Sequence, residues 1–328
     1  MTKKELVLKA LNNEEVERIP VGFWFHFLPE DDLYKGLADP QIADRNVAGH
    51  KRFIDQFHPD FVKVMSDGFF GYPTSGGEST QNIADLGQLQ PIDPSHRWIQ
   101  QQVDLVKKVT ALQADTFYIY NIFSPFTTLK SLLGVEKLVK TLKTEPQLVG
   151  DTLIRVARGL AALSERVIKE AKADGIYLSV QNPDIAQISD DEYRRYVTPS
   201  DKIVLDAANK AGGNNVLHIC GFKGVKNHLN AWKDYKAAAY NWAVNEDGIS
   251  LSEGKKLFGG SAVIGGFANS PGSLIEVGTK SEIEDFTEKL IKASGKKGII
   301  IGADCTIPQG IPFDRLEWVR QKAEQVSR

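Results

Sequence analysis

Two cysteines in 328 residues are too few for a disulfide framework, so nothing in the chain calls for an oxidising compartment and a cytoplasmic location is expected. No apolar run approaches the roughly 20 residues that span a bilayer, which removes the membrane from consideration. Neither sign of charge dominates: 40 Lys and Arg stand against 42 Asp and Glu, the pI is about 6.3, and a nucleic-acid surface is not indicated. The first residues, Met1-Thr2-Lys3-Lys4-Glu5, lead directly into an amphipathic pattern without the apolar core of a signal peptide. No Gly-x-Gly-x-x-Gly turn follows the first predicted strand, which weakens a doubly wound dinucleotide fold. Internal repeats and low-complexity segments are absent as well.

What is present is alternation. Helical spacing of apolar residues is read at about 3–13, 42–57, 96–112, 128–143, 146–173, 190–211, 250–258, 280–294 and 313–326. Between them lie short apolar runs read as strands: Arg18 to Phe25, Phe61 to Met65, Thr116 to Tyr120, Gly175 to Gln181, the run ending at His218 and Cys220, Ala237 to Trp242, Ala262 to Phe267, and Gly298 to Ile301. Strands apolar on both faces and alternating with helices predict an α/β fold with a parallel sheet buried on both sides. Eight such units predict a single (β/α)8 TIM barrel over 1–328, with an N-terminal helix in front. From Phe69 to about Pro94 the chain is rich in Gly, Ser, Thr and Pro, with Ser75-Gly76-Gly77 at its centre; this reads as a lid-like loop after strand 2.

In such a barrel the C-terminal strand ends open onto one face. That face would gather Asp67, Asn121, Ser124, Ser179, Gln181, His218, Cys220, Trp242, Asn269, Asp304 and Cys305. His218 and Cys220 are two apart in one strand, so both point to one side. Cys305, the second cysteine, follows the last strand. One imidazole and two thiols suggest a three-ligand zinc site with a fourth position open, the pattern of catalytic zinc. The alternative for each cysteine is a small buried apolar group. His26, just past the first strand, could enter the site, and Phe23, Trp24 and Phe25 would line its mouth alternately. His50, His58, His96 and His228 read as surface residues.

Several segments together resemble the uroporphyrinogen decarboxylase superfamily over nearly the whole chain: Arg18-Ile19-Pro20-Val21, Ser124-Pro125-Phe126-Thr127, Leu217-His218-Ile219-Cys220-Gly221, and Cys305-Thr306-Ile307-Pro308 with Ile311-Pro312. The resemblance independently implies the barrel. True decarboxylases of that superfamily carry an arginine-rich segment after the first strand to grip substrate carboxylates; here Gly22-Phe23-Trp24-Phe25-His26-Phe27 has no arginine. They also carry a Gly-His-Gly-Ile segment near the C-terminus, where this chain has Asp304-Cys305-Thr306-Ile307. Cys305 instead resembles the zinc-dependent methylcobamide:coenzyme M methyltransferase branch, in which His-x-Cys and a distant Cys hold zinc. That branch implies His218, Cys220 and Cys305 as metal ligands, a methylcobamide co-substrate on a corrinoid carrier protein, and a small-molecule thiol as acceptor. Asp67 matches the decarboxylase aspartate and either survives as a catalytic group or orients a ligand. His26, Trp24, Ser179, Gln181 and Asn121 would then contact substrate. No Asp-x-His-x-x-Gly segment is present, so the corrinoid is not expected to stay bound. A porphyrinogen decarboxylase and a non-catalytic tetrapyrrole or corrinoid carrier, with His218 or His26 as axial ligand, remain the alternatives.

Overall fold

The computed structural model describes residues 1–74, 83–181, 187–221 and 226–327. Ser75-Gly76-Gly77, the centre of the lid-like stretch, lies outside them. The sheet has seven parallel strands in sequence order: β1 (Phe61–Val64), β2 (Phe117–Phe123), β3 (Gly175–Val180), β4 (Val216–Ile219), β5 (Ala239–Trp242), β6 (Ala262–Phe267) and β7 (Ile299–Ala303). Each hydrogen-bonds to the next, with helices between them, as the alternation predicted.

The first of the eight predicted strands, Arg18 to Phe25, is not a strand among the described residues. It is reduced to one parallel bridge, Val21 to Ile301. Gly22 N donates to Ile301 O at 3.0 Å and Ile301 N donates to Pro20 O at 2.9 Å. On the other side Asp60 N donates to Val21 O at 3.0 Å, so Pro20–Gly22 lies between β7 and β1. The ladder cannot extend for a local reason. Pro20 has no N–H to give, and Val21 N is claimed by the Asp60 carboxylate at 2.8 Å. That carboxylate, fully buried, is also gripped by both terminal nitrogens of Arg18, at 2.6 and 2.5 Å. Gly22 is required here: a methyl group on it would collide with the Phe61 ring.

Two cores follow from strand parity. Phe61 and Met65, Phe117 and Ile119, Tyr177, Val216, Ala239, Ala262, Ile264 and Ile300 form the interior cluster, together with Trp24 and Val7, Ala10 and Leu11 of α1 (Lys3–Leu11). Most of these are first or second inward residues of their strands, so α1, started by a Thr2–Glu5 capping box, plugs the N-terminal end of the interior. Polar inward residues come later along the strands: Asn121, Ser179, His218 and Asn241. The outward residues pack beneath α2 (Gln41–Phe57), α3 (Arg97–Thr110) and the later helices in the larger core. The helix Pro146–Lys169 buries Val149, Leu153, Val156, Leu160, Leu163 and Val167 there. Each large apolar side chain so buried contributes about 1.5–3 kcal/mol. No helix of the described residues is long and apolar enough to cross a membrane.

The flanks of the lid-like stretch are docked on this core rather than standing free. Phe69, Tyr72, Leu86, Leu89 and Ile92 are buried, and Leu86 O accepts from Thr152 Oγ1 and Arg155 Nη2. His50, read as a surface residue, is fully buried. Its Nδ1 donates to Asn46 O at 3.0 Å while Nε2 accepts from Met65 N at 3.1 Å, so the neutral ring links α2 to the end of β1. Burial pushes its pKa down to about 4.

Candidate metal centre

His218, Cys220 and Cys305 meet where β4 and β7 end. One ligand atom from each lies within 4.8 Å of the other two. The sulfurs are 3.9 Å apart, and Cys305 Sγ is 3.4 Å from His218 Nε2. A tetrahedral zinc with sulfur ligands at about 2.3 Å would separate two such sulfurs by about 3.8 Å, so the three donors already stand at metal-binding distances. His218 is buried and both thiols are half-buried, which leaves the cluster open on one side. The Cys305 thiol is held well below its usual pKa, chiefly by its hydrogen bond with Cys220 and then by the charges of His218 and Lys63.

The orientation of His218 is set by a residue that the sequence reading did not single out. Asn241, inward on β5, donates through Nδ2 to Ile264 O at 2.8 Å and to Ala303 O at 3.1 Å. Carbonyls only accept, so the amide nitrogen faces them and Oδ1 faces the other way. There Oδ1 accepts from Tyr177 Oη at 2.6 Å and lies 2.5 Å from His218 Nδ1. His218 therefore holds a proton on Nδ1 and turns Nε2 toward the sulfurs. The Tyr177 ring stacks on the imidazole at 5.0 Å, and burial keeps its phenol protonated. Metal-binding histidines are held in this way, with the second nitrogen anchored.

A second arrangement stands at the same end of the sheet. Asp67 Oδ1 is 2.8 Å from His26 Nδ1, while Oδ2 accepts from Phe27 N at 2.7 Å and Leu28 N at 3.4 Å. A carboxylate only accepts, so Nδ1 of His26 carries a proton and is held by Asp67. The His26 side chain is 30% exposed, and Asp67 is fully buried behind it. Gln309 donates to the carbonyls of His26 and Leu28, fixing this turn.

The remaining predicted residues separate into two groups. Ser179 is adjacent to the cluster, opposite His218 in the β3–β4 register. Gln181 is buried at the end of the same strand and accepts from Lys130 Nζ. Asn121 is turned toward Ser66 Oγ, at 2.8 Å, on the wall of a small pocket whose other walls include Phe69, Phe70, Trp98 and Phe123. Trp24 does not line the mouth; it is buried in the interior, its ring 5.5 Å from Tyr177 and 6.0 Å from Phe61. Trp242 faces outward against Phe258, because Asn241 takes the inward position. Ser124 caps the helix Pro125–Leu133, and Asn269 donates to Thr306 O. Asp304 ties β7 to the chain after β5, accepting from the backbone and side chain of Asn245 at 2.8 and 2.7 Å. Burial raises its pKa to about 6.

The family model described as uroporphyrinogen decarboxylase (URO-D) matches residues 71–326. No curated protein sequence matches the chain. Among solved structures it is similar to a methyltransferase from Methanosarcina mazei, at 16% identity and a TM-score of 0.78, over 99% of each chain. It is also similar to a β-mannanase from the blue mussel Mytilus edulis, at 10% identity and a TM-score of 0.53, over 95% of this chain and 92% of that one. Likeness at such identities is likeness of fold.

Proposed function

Because this chain belongs to the uroporphyrinogen decarboxylase family, we propose that it is a methyltransferase of that family. In this reading it holds one zinc on His218, Cys220 and Cys305 and moves a methyl group from a methylated corrinoid, on a separate carrier protein, to a small thiol. The observation that carries the reading is the convergence of those three donors, with Nε2 of His218 fixed toward the sulfurs by Asn241. One imidazole and two thiols with an open side fit catalytic zinc and leave room for a fourth ligand. When bound, the zinc would act as a Lewis acid that keeps an incoming thiol deprotonated.

The chain's own residues supply the rest. Asn241 and Tyr177 hold the imidazole in one tautomer. His26, braced by Asp67, is the side chain that takes up the thiol proton. Ser179 and Gln181 border the substrate, and the aromatic walls near Asn121 exclude water. Pro20–Gly22, though reduced to one bridge, stands in the place of an eighth barrel strand between β7 and β1. Thiols serving as ligands rather than in a disulfide suit a reducing, cytoplasmic setting. The Methanosarcina mazei protein, a methyltransferase matching end to end, supports the same class.

A porphyrinogen decarboxylase has less in its favour. Both oxygens of Asp67 are engaged by His26, Phe27 and Leu28, and Gly22 to Phe27 offers no guanidinium for substrate carboxylates. The two readings separate in one set of assays. Zinc-loaded protein given free methylcobalamin and a panel of small thiols should demethylate the corrinoid only when thiol is present, and Cys305→Ala should abolish this. Uroporphyrinogen should be left unchanged. Robust coproporphyrinogen formation without thiol-dependent methyl transfer would overturn the proposal.

A further inference from the structure

One interior charge has no part in the chemistry above. Lys63 is the inward residue between Phe61 and Met65 on β1, and it is only 5% exposed. Among the described residues its ammonium has no ion pair and no hydrogen bond; it lies 4.0 Å from the centroid of the Tyr177 ring and 5.5 Å from that of Trp24. Ring faces return about 0.5–2 kcal/mol to a cation, whereas removing an ammonium from water costs several. Burial accordingly lowers the Lys63 pKa to about 8, and the negative groups that act against this fall are Cys305, Cys220 and Asp67, in that order. Asp67 is already committed to His26 and two backbone N–H groups. That leaves the Cys220 and Cys305 side chains as the groups on which its charge can act. Tyr177 ties the groups together: its ring takes Lys63 and stacks on His218, and its hydroxyl binds Asn241.

We propose that Lys63 is a positioning residue that sets the charge of the His218, Cys220 and Cys305 cluster from the barrel interior, and so selects an anionic sulfur over a neutral donor as the fourth partner of the metal. The inference rests on the zinc reading above. Two thiolates cancel the charge of a zinc ion; a third thiolate leaves one negative charge in a site of low dielectric, and the Lys63 ammonium offsets it. A neutral imidazole or amine gains nothing comparable. At an effective dielectric of about 20, one such charge pair within the barrel interior changes affinity by roughly tenfold to a hundredfold.

The test uses the full-length zinc-loaded protein and calorimetric titration with 2-mercaptoethanol and, separately, imidazole. Lys63→Met keeps the length of the stem and removes the charge. It should retain its zinc, bind 2-mercaptoethanol roughly tenfold to a hundredfold more weakly, and bind imidazole as the wild type does. Lys63→Arg, which keeps the charge, should preserve the wild-type ratio of the two affinities. An unchanged ratio in Lys63→Met overturns the inference, whether both ligands bind normally or both weaken together. So does loss of zinc from that variant, since a charge acting on the fourth partner leaves the three protein ligands intact. A wild type that binds zinc and thiol beside an unaffected Met variant sinks only the role of Lys63. A wild type that takes up no zinc removes the functional reading, and this inference with it.

Discussion

Asn241→Ala is the substitution that probes the candidate centre most sharply without touching a ligand. Four hydrogen bonds end on this carboxamide, at 2.5, 2.6, 2.8 and 3.1 Å, from His218 and Tyr177 on one side and to Ile264 O and Ala303 O on the other. Removing it leaves four buried polar groups unpaired, each worth about 1–3 kcal/mol. Water entering the vacated space recovers part of this, so a net loss of about 3–5 kcal/mol is expected. Such a loss is survivable for a domain with about 5–15 kcal/mol of stability. The His218 ring, no longer anchored at Nδ1, can rotate and exchange tautomers, and zinc affinity should fall about 10- to 100-fold. Urea unfolding of the chelator-treated protein measures the first effect free of metal linkage, and competition with a chromophoric chelator measures the second. Asn241→Asp separates the two. It still accepts from His218 and Tyr177 but turns an oxygen toward two carbonyls, so it should lose stability while keeping near-normal zinc affinity. Wild-type zinc affinity in Asn241→Ala would refute the anchoring argument.

Two further predictions concern the scaffold. Asp60→Ala strands the Arg18 guanidinium and frees Val21 N between β7 and β1; it should cost about 3–5 kcal/mol, read as a lower urea midpoint with an unchanged slope. Asp201, fully buried, accepts from Tyr193 Oη at 3.0 Å and Tyr235 Oη at 2.8 Å while its Oδ1 has no partner, and burial raises its pKa from 3.8 to about 7. A raised carboxyl pKa means that the folded state binds the extra proton between those values, so this group's contribution to stability declines as pH rises from about 4 to about 7. Asp201→Asn should remove that decline, by several kcal/mol across the window, in urea titrations at a series of pH values; an unaltered pH slope would contradict it.

The convergence of His218, Cys220 and Cys305 was legible in the sequence because it obeys a rule of parity that any strand must follow. His218 and Cys220 share a side wherever the strand begins, and Cys305 had only to follow another strand of the same sheet. Asn241 was missed for the converse reason. In Ala239-Tyr240-Asn241-Trp242 the pattern alone does not say which alternate residues face inward, and the larger Trp242 drew attention although it packs outside. Lys63 carried a usable signal, a lone charge inside Phe61-Val62-Lys63-Val64-Met65, which only an interior counter-charge or an exposed edge explains. The strand predicted at Arg18 to Phe25 failed on hydrogen bonding, not hydrophobicity: Pro20 and the Asp60 side chain withdraw the donors a ladder needs. His50 was misplaced because a helix of 17 residues has both a wet and a buried face, and one histidine does not announce which it occupies.

The chemistry proposed at the strand ends depends on a metal. Zinc content, measured on protein purified without added zinc and without chelators, tests this most directly, in the wild type and in His218→Ala, Cys220→Ala and Cys305→Ala. The account predicts about one zinc per wild-type chain, with X-ray absorption placing sulfur ligands at about 2.3 Å. Each variant should show a sharp loss of zinc with the fold kept, because the cluster lies at the open end of the sheet and not in its core. Equal zinc in all four proteins, or none in the wild type, would contradict it.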